Sequence, residues 1–137
     1  MNDKRRVLIV DDDKMHRAIY SSIANKMSFI VYEAPSPAEA YTALRTIDFD
    51  IVILDLMLGE DSGANVLALM SSLPYRPRVL LVTGASDDVI EETFAVGRQL
   101  GLEMFGPVRK PVNVALIRTM LRSMEIGAPA PVSSDAG

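Results

Sequence analysis

The 137-residue chain contains no cysteine. That excludes a disulfide framework, a thiolate metal site and a cysteine nucleophile, and it fits a reducing compartment. No apolar run approaches the roughly 20 residues of a membrane-spanning helix. The basic start Met1-Asn2-Asp3-Lys4-Arg5-Arg6 leads into only Val7-Leu8-Ile9-Val10 before three aspartates, which is too short for the apolar part of a signal peptide. An excess of positive charge is missing too. Fourteen Lys and Arg stand against 18 Asp and Glu, a formal charge of −4, and a protein that binds nucleic-acid phosphates needs a basic face. These absences point to a cytoplasmic protein with no nucleic-acid or membrane partner.

What is present is ordinary for a globular domain: 49% apolar and 23% charged residues. The length suits one domain with a core that needs no covalent staples. Short apolar runs at residues 6–10, 29–33, 51–54, 79–82 and 104–108 alternate with longer stretches of helical spacing. Met15, Ile19, Ile23 and Met27 form an i, i+4 stripe in the first helical stretch. Ser36-Pro37-Ala38-Glu39 opens the second with an N-cap, a proline at the first helical position and a capping-box glutamate. Further helices are expected over 62–73, 86–100 and 112–126. Strict alternation of strand and helix implies an α/β fold, a doubly wound parallel sheet of five strands with five helices on its two faces. The domain is expected over 1–126. Residues 127–137 are rich in Pro, Ala, Ser and Gly and are expected to form a disordered tail.

The strand ends hold the chemistry. The first run enters Asp11-Asp12-Asp13, the third enters Asp55, the fourth delivers Thr83-Gly84 and the fifth leads to Lys110-Pro111. Residues just past the carboxyl ends of parallel strands share one crevice. Carboxylates gathered there repel one another by several kcal/mol per pair at about 4 Å unless a cation joins them. An all-oxygen donor set suits Mg²⁺ or Mn²⁺ rather than zinc. A carboxylate can also act as a nucleophile and form an acyl phosphate.

Asp11-Asp12, Asp55, Thr83 and Lys110-Pro111, in that order and each at a strand end, resemble the receiver domain of bacterial two-component response regulators of the single-domain, chemotaxis-regulator-like kind. The resemblance covers most of the chain. It implies a flavodoxin-like sheet with strand order 2-1-3-4-5. It further implies that Asp55 is the phosphoacceptor, that Asp11, Asp12, Asp55 and the backbone carbonyl of Met57 hold Mg²⁺, and that Thr83 and Lys110 engage the phosphoryl group. The Lys110–Pro111 peptide is expected to be cis. The implied partners are a sensor histidine kinase or histidine phosphotransfer protein and a downstream protein target. The domain would then be a signalling module that assists its own phosphotransfer and dephosphorylation, not a conventional enzyme.

Two positions depart from the family pattern. Gly59 stands where a proline often follows the phosphoacceptor, whereas Gly63 matches. Pro107 stands where receivers usually place an aromatic switch residue, and a proline cannot act as a rotamer switch. Asp13 is assigned to capping the first helix. His16, the only histidine, is expected to face solvent and receives no role. On the last helix, Val112, Leu116, Met120 and Met124 form a stripe that Ile117 and Leu121 widen, which suits either a broad core face or a partner or homodimer contact.

Two rival readings remain at this point. Asp11-x-Asp13 after an apolar strand, with Leu81-Val82-Thr83, also resembles a phosphatase of the haloacid-dehalogenase type with Asp11 as nucleophile and Asp13 as general acid. Met15 stands where that pattern has threonine or valine, and no acidic pair follows Lys110, the next acid being Glu125. Asp55 would have no role in it. The other reading is a phosphorylation-independent receiver-like binding module.

Overall fold

A computed structural model describes residues 5–58 and 61–125. The expected tail over 127–137 and the Gly59 position lie outside the described residues. Strand β1 is Arg6–Val10, followed by α1 (Lys14–Lys26), β2 (Ile30–Ala34), α2 (Pro37–Thr46) and β3 (Ile51–Leu54). A two-residue pair, β4 (Met57–Leu58) and β5 (Asp61–Ser62), precedes α3 (Ala64–Ser71). Then come β6 (Arg78–Thr83), α4 (Asp87–Gln99), β7 (Met104–Arg109) and α5 (Val114–Glu125).

The five longer strands pair in parallel in the order β2-β1-β3-β6-β7. Counting those strands alone, this is the expected 2-1-3-4-5 order. The β4–β5 pair lies outside the sheet and was not foreseen, because two-residue strands leave no period to read. α3 begins two residues later than expected, after Gly63.

Strict alternation along the strands divides the core. Leu8, Val10, Val52, Leu54, Val79 and Leu81 face α2, α3 and α4. Val7, Ile9, Ile51, Ile53, Leu80 and Val82 face α1 and α5. Apolar side chains on both faces exclude water from the whole sheet, so its polar chemistry can emerge only at the strand ends.

Two helices correct the expected stripes. In α1, Met15 is 72% exposed while Tyr20, Ile23 and Ala24 are buried. Ile23 of the expected 15-19-23-27 stripe is core and Ile19 and Met27 pack against it, so Met15 alone departs from that stripe. In α5, Ile117, Leu121 and Met124 are buried, whereas Leu116 is 39% exposed. Leu116 thus belongs to the outer face of α5.

Strand β7 is interrupted. Leu80 pairs with Phe105 and Val82 with Val108, so two steps on β6 span three on β7. The extra residue makes a β-bulge at Gly106-Pro107. Gly106 has φ +99°, and a Cβ there would stand 2.9 Å from the Leu81 carbonyl oxygen, so both backbone conformation and space call for glycine. The bulge keeps Phe105 and Val108 on the same core face. Phe105, the aromatic nearest the usual switch position, is 1% exposed and packs beneath the Arg78 guanidinium.

Candidate acidic site at the strand ends

The carboxyl ends of β1 and β3 are adjacent, with Val10 in register with Leu54. Asp11 and Asp55 each follow one of these ends by a single residue and are buried, while Asp12 is exposed. One carboxylate oxygen from each of the three lies within 4.8 Å of the others. The backbone orients two of these side chains. Asp11 Oδ1 accepts the Asp13 amide hydrogen at 2.9 Å, and Asp55 Oδ1 accepts that of Met57 at 3.1 Å. Each carboxylate therefore presents its Oδ2 to the crevice.

Lys110 enters from the end of β7. Its amide donates to the Thr83 carbonyl at 3.1 Å, which ties the lysine to β6. Its peptide to Pro111 is cis, as expected, and Gly106–Pro107 is also cis. Lys110 Nζ lies 2.8 Å from Asp55 Oδ2 and 3.0 Å from Asp11 Oδ2. Burial works against the ammonium, but its hydrogen bonds to Asp55 and Asp11 outweigh it and hold the Lys110 pKa above the ordinary value. Burial also pushes Asp11 up, against the hydrogen bonds from Asp13 and Lys110. The site thus holds two buried carboxylates against one cation. A second cation would relieve that imbalance, and the oxygen-only donors of Asp11, Asp12 and Asp55 fit a hard divalent ion.

Thr83 is fully buried at the end of β6, with its hydroxyl oxygen accepting the Ala85 amide hydrogen at 3.2 Å. Gly63 packs against the backbone that follows β3. Its amide donates to the Leu56 carbonyl at 3.0 Å, and a Cβ there would stand 2.6 Å from the Asp55 carbonyl oxygen. With φ −62° its backbone suits any residue, so glycine answers to close approach alone. Asp13 caps α1 as expected: its Oδ1 accepts from Met15 N at 2.8 Å and His16 N at 3.1 Å. That leaves Asp13 pointing at a helix terminus and leaves Asp55, not Asp13, beside Asp11.

Two residues of the site were not foreseen. His16 does not face solvent; its Nδ1 lies 2.9 Å from Lys110 Nζ. Arg17 donates to the Asp11 carbonyl at 2.9 Å and pairs with Glu33 at 3.0 Å. The available signal was the phase of α1. His16, Tyr20 and Ile23 share a face at i, i+4 and i+7, and Tyr20 and Ile23 are core.

Comparison with known proteins agrees with this geometry. Residues 7–122 match the response regulator receiver domain. The chain is 29% identical over 119 residues to the probable transcriptional regulatory protein SilR of Salmonella typhimurium, covering 85% of this chain and 51% of the relative. It is 36% identical over 85 residues to the alginate biosynthesis transcriptional regulatory protein AlgB of Pseudomonas putida, covering 62% of this chain and 19% of the relative. The chain therefore spans from about a fifth to half the length of these curated relatives. Among solved structures, a CheY-like receiver domain protein from Methanospirillum hungatei superposes with a TM-score of 0.75 at 22% identity, covering 90% of this chain and 96% of the other. Chemotaxis response regulator CheY4 of Vibrio cholerae gives 0.76 at 19% identity, covering 89% and 99%. The match runs from β1 into α5 and so takes in every strand end of the acidic crevice: the chain belongs to the response regulator receiver domain family.

Proposed function

We propose that this receiver accepts a phosphoryl group on Asp55 from a sensor histidine kinase or a histidine phosphotransfer protein. The observation that supports this most is the placement of Asp55: a buried carboxylate with Oδ2 turned to the crevice, 2.8 Å from Lys110 Nζ and within reach of the Asp11 and Asp12 oxygens. In the transfer, an Asp55 oxygen forms the new bond to phosphorus as the phosphorus–nitrogen bond of the donor breaks. Little covalent help is needed; positioning and charge stabilisation dominate phosphoryl transfer. Lys110 exchanges its Asp55 contact for a phosphoryl oxygen. The Thr83 hydroxyl, at the end of the adjoining strand, donates to another.

A divalent cation, Mg²⁺ or Mn²⁺, would be held by Asp11, Asp12, Asp55 and the Met57 carbonyl, and would supply positive charge to the phosphoryl oxygens. The same residues would assist the later hydrolysis of the acyl phosphate. Met57 and Ala85, which border the water path by family resemblance, are apolar and supply no base. The phosphorylated carboxylate adds about −1.5 to −2 of charge to the crevice. The output is a changed protein surface that engages a downstream partner in the cytoplasm. Pro107 and the buried Phe105 leave this receiver without the usual aromatic relay, so the change must be read through other contacts.

The test is incubation with acetyl phosphate and Mg²⁺, followed by borohydride trapping and peptide mass spectrometry, with Asp55→Asn alongside. Label on Asp55, absent from the variant, is expected. Label on Asp11 would favour phosphatase chemistry. An unlabelled protein that binds Mg²⁺ poorly would be a phosphorylation-independent binding module.

A further inference from the structure

His16 Nδ1 lies 2.9 Å from Lys110 Nζ, 3.6 Å from Asp13 Oδ2 and 3.9 Å from Asp11 Oδ2. An ammonium carries three hydrogens and no lone pair, so an imidazole nitrogen in hydrogen-bond contact with it must be the acceptor. The ring hydrogen then sits on Nε2. With Asp55 Oδ2 at 2.8 Å and Asp11 Oδ2 at 3.0 Å, the three hydrogens of Lys110 meet three acceptors.

The imidazole is held in place before any ligand arrives. The His16 amide donates to the capping Asp13 at 3.1 Å, which sets the first turn of α1. The ring stacks on fully buried Tyr20 one turn later, at 6.2 Å between centroids and 21° between planes. Arg17 ties the same turn to the Asp11 carbonyl and to Glu33. His16 is not among the groups whose ligand atoms converge as the Asp11, Asp12 and Asp55 oxygens do.

We propose that His16 is a positioning residue for Lys110, supplying through Nδ1 the acceptor that keeps the ammonium aimed into the crevice. When Lys110 exchanges its Asp55 oxygen for a phosphoryl oxygen, His16 and Asp11 retain the other two hydrogens. The ammonium therefore moves by one hydrogen bond instead of being released into solvent, which preserves its orientation. The consequence for rate rests on the proposed role of Asp55, while the His16–Lys110 contact stands independently of it.

The contact is tested first, by two-bond ¹H–¹⁵N correlation on the unphosphorylated protein above the ordinary titration range of imidazole. The expected spectrum shows the proton on Nε2 and an unprotonated Nδ1 that shifts when Lys110 is replaced by Met. A proton on Nδ1, or signals insensitive to Lys110→Met, overturns the proposal whether or not Asp55 is ever phosphorylated.

The second test follows labelling by acetyl phosphate with intact-mass spectrometry. His16→Leu is expected to slow phosphorylation by about tenfold, the value of one hydrogen bond to a charged group. His16→Asn, whose side-chain oxygen can stand near the Nδ1 position, is expected to restore most of the rate, and Mg²⁺ affinity is expected to be the same in all three proteins. In a Lys110→Met background the His16 substitutions are expected to change nothing further. An undiminished rate in His16→Leu, a loss that persists without Lys110, or a fall in Mg²⁺ affinity overturns the positioning role. A wild-type protein that takes no label overturns the phosphoacceptor reading and leaves the spectroscopic result to decide the contact.

Discussion

Lys110 and Asp55, 55 residues apart in the chain, meet at 2.8 Å between Nζ and Oδ2. The same ammonium reaches Asp11 Oδ2 at 3.0 Å, so one cation holds together two buried carboxylates from different strands. Lys110→Ala would leave those carboxylates facing each other with less compensation. In metal-free protein it is expected to lose about 2–4 kcal/mol. Added Mg²⁺ should recover part of that loss by binding the folded state. Urea melts followed by circular dichroism, with and without chelator, check both expectations; equal stability of the two proteins in chelator would contradict the pairing.

Asp11 gives a dependence on pH with a definite sign. Burial raises its pKa in the fold above the ordinary 3.8. Between 3.8 and the raised value the folded state binds more protons than the unfolded chain, so stability is present at low pH and falls as pH rises through that window. Asp11→Asn should remove this decline in metal-free protein. Saturating Mg²⁺ should flatten it in the wild type. Asp13 acts in the opposite sense. The His16 amide hydrogen bond lowers its pKa, so its contribution is present above 3.8 and fades as pH falls through the lowered value. Melting temperatures in chelator across the acid range, for wild type and Asp11→Asn, test the Asp11 effect.

Gly63 has no room for a methyl group. A Cβ would stand 2.6 Å from the Asp55 carbonyl oxygen and 2.9 Å from Leu56 Cα, both backbone atoms that cannot swing aside. Gly63→Ala is therefore expected to cost about 1–3 kcal/mol. Because the displaced backbone is that of Asp55 and Leu56, phosphorylation by acetyl phosphate should slow as well. A stable variant with wild-type labelling would show that this loop yields without disturbing the site.

The Tyr20 hydroxyl has no hydrogen-bond partner among the described residues, and the residue is fully buried. Burial, with the carboxylates of Asp11, Asp55 and Asp13 nearby, raises its pKa strongly. A buried donor without a partner costs about 1–3 kcal/mol, so Tyr20→Phe should be neutral or stabilising by about 1 kcal/mol. The Phe ring should still stack on His16. A clear loss of stability in denaturant titration would mean that the hydroxyl is hydrogen-bonded in solution.

The sequence alone was informative wherever the signal was local. Runs of four or five residues leading to Asp11, Asp55, Thr83 and Lys110 announced both the strands and the positions of the polar groups, because a sheet covered on both faces can show polar side chains only at its strand ends. The Asp13 and Ser36 caps were legible for the same reason: a cap is a contact within three residues, and both are observed. The phase of α1 was less legible. Ile19, Ile23 and Met27 of the apolar stripe do reach the core, but Met15 at its start is exposed and the neighbouring His16 turns to the crevice instead.

By itself, then, the sequence determined the alternation of strand and helix, the order of the reactive groups and their common end of the sheet, all consequences of local pattern and parallel pairing. Tertiary structure alone decided what those groups touch. The meeting of His16 with Lys110, 94 residues later, the bulge that keeps Phe105 in the core, and the approach of Gly63 to Asp55 depend on how separate segments pack. Packing distances arise between surfaces distant in the chain, and a local period contains no information about them.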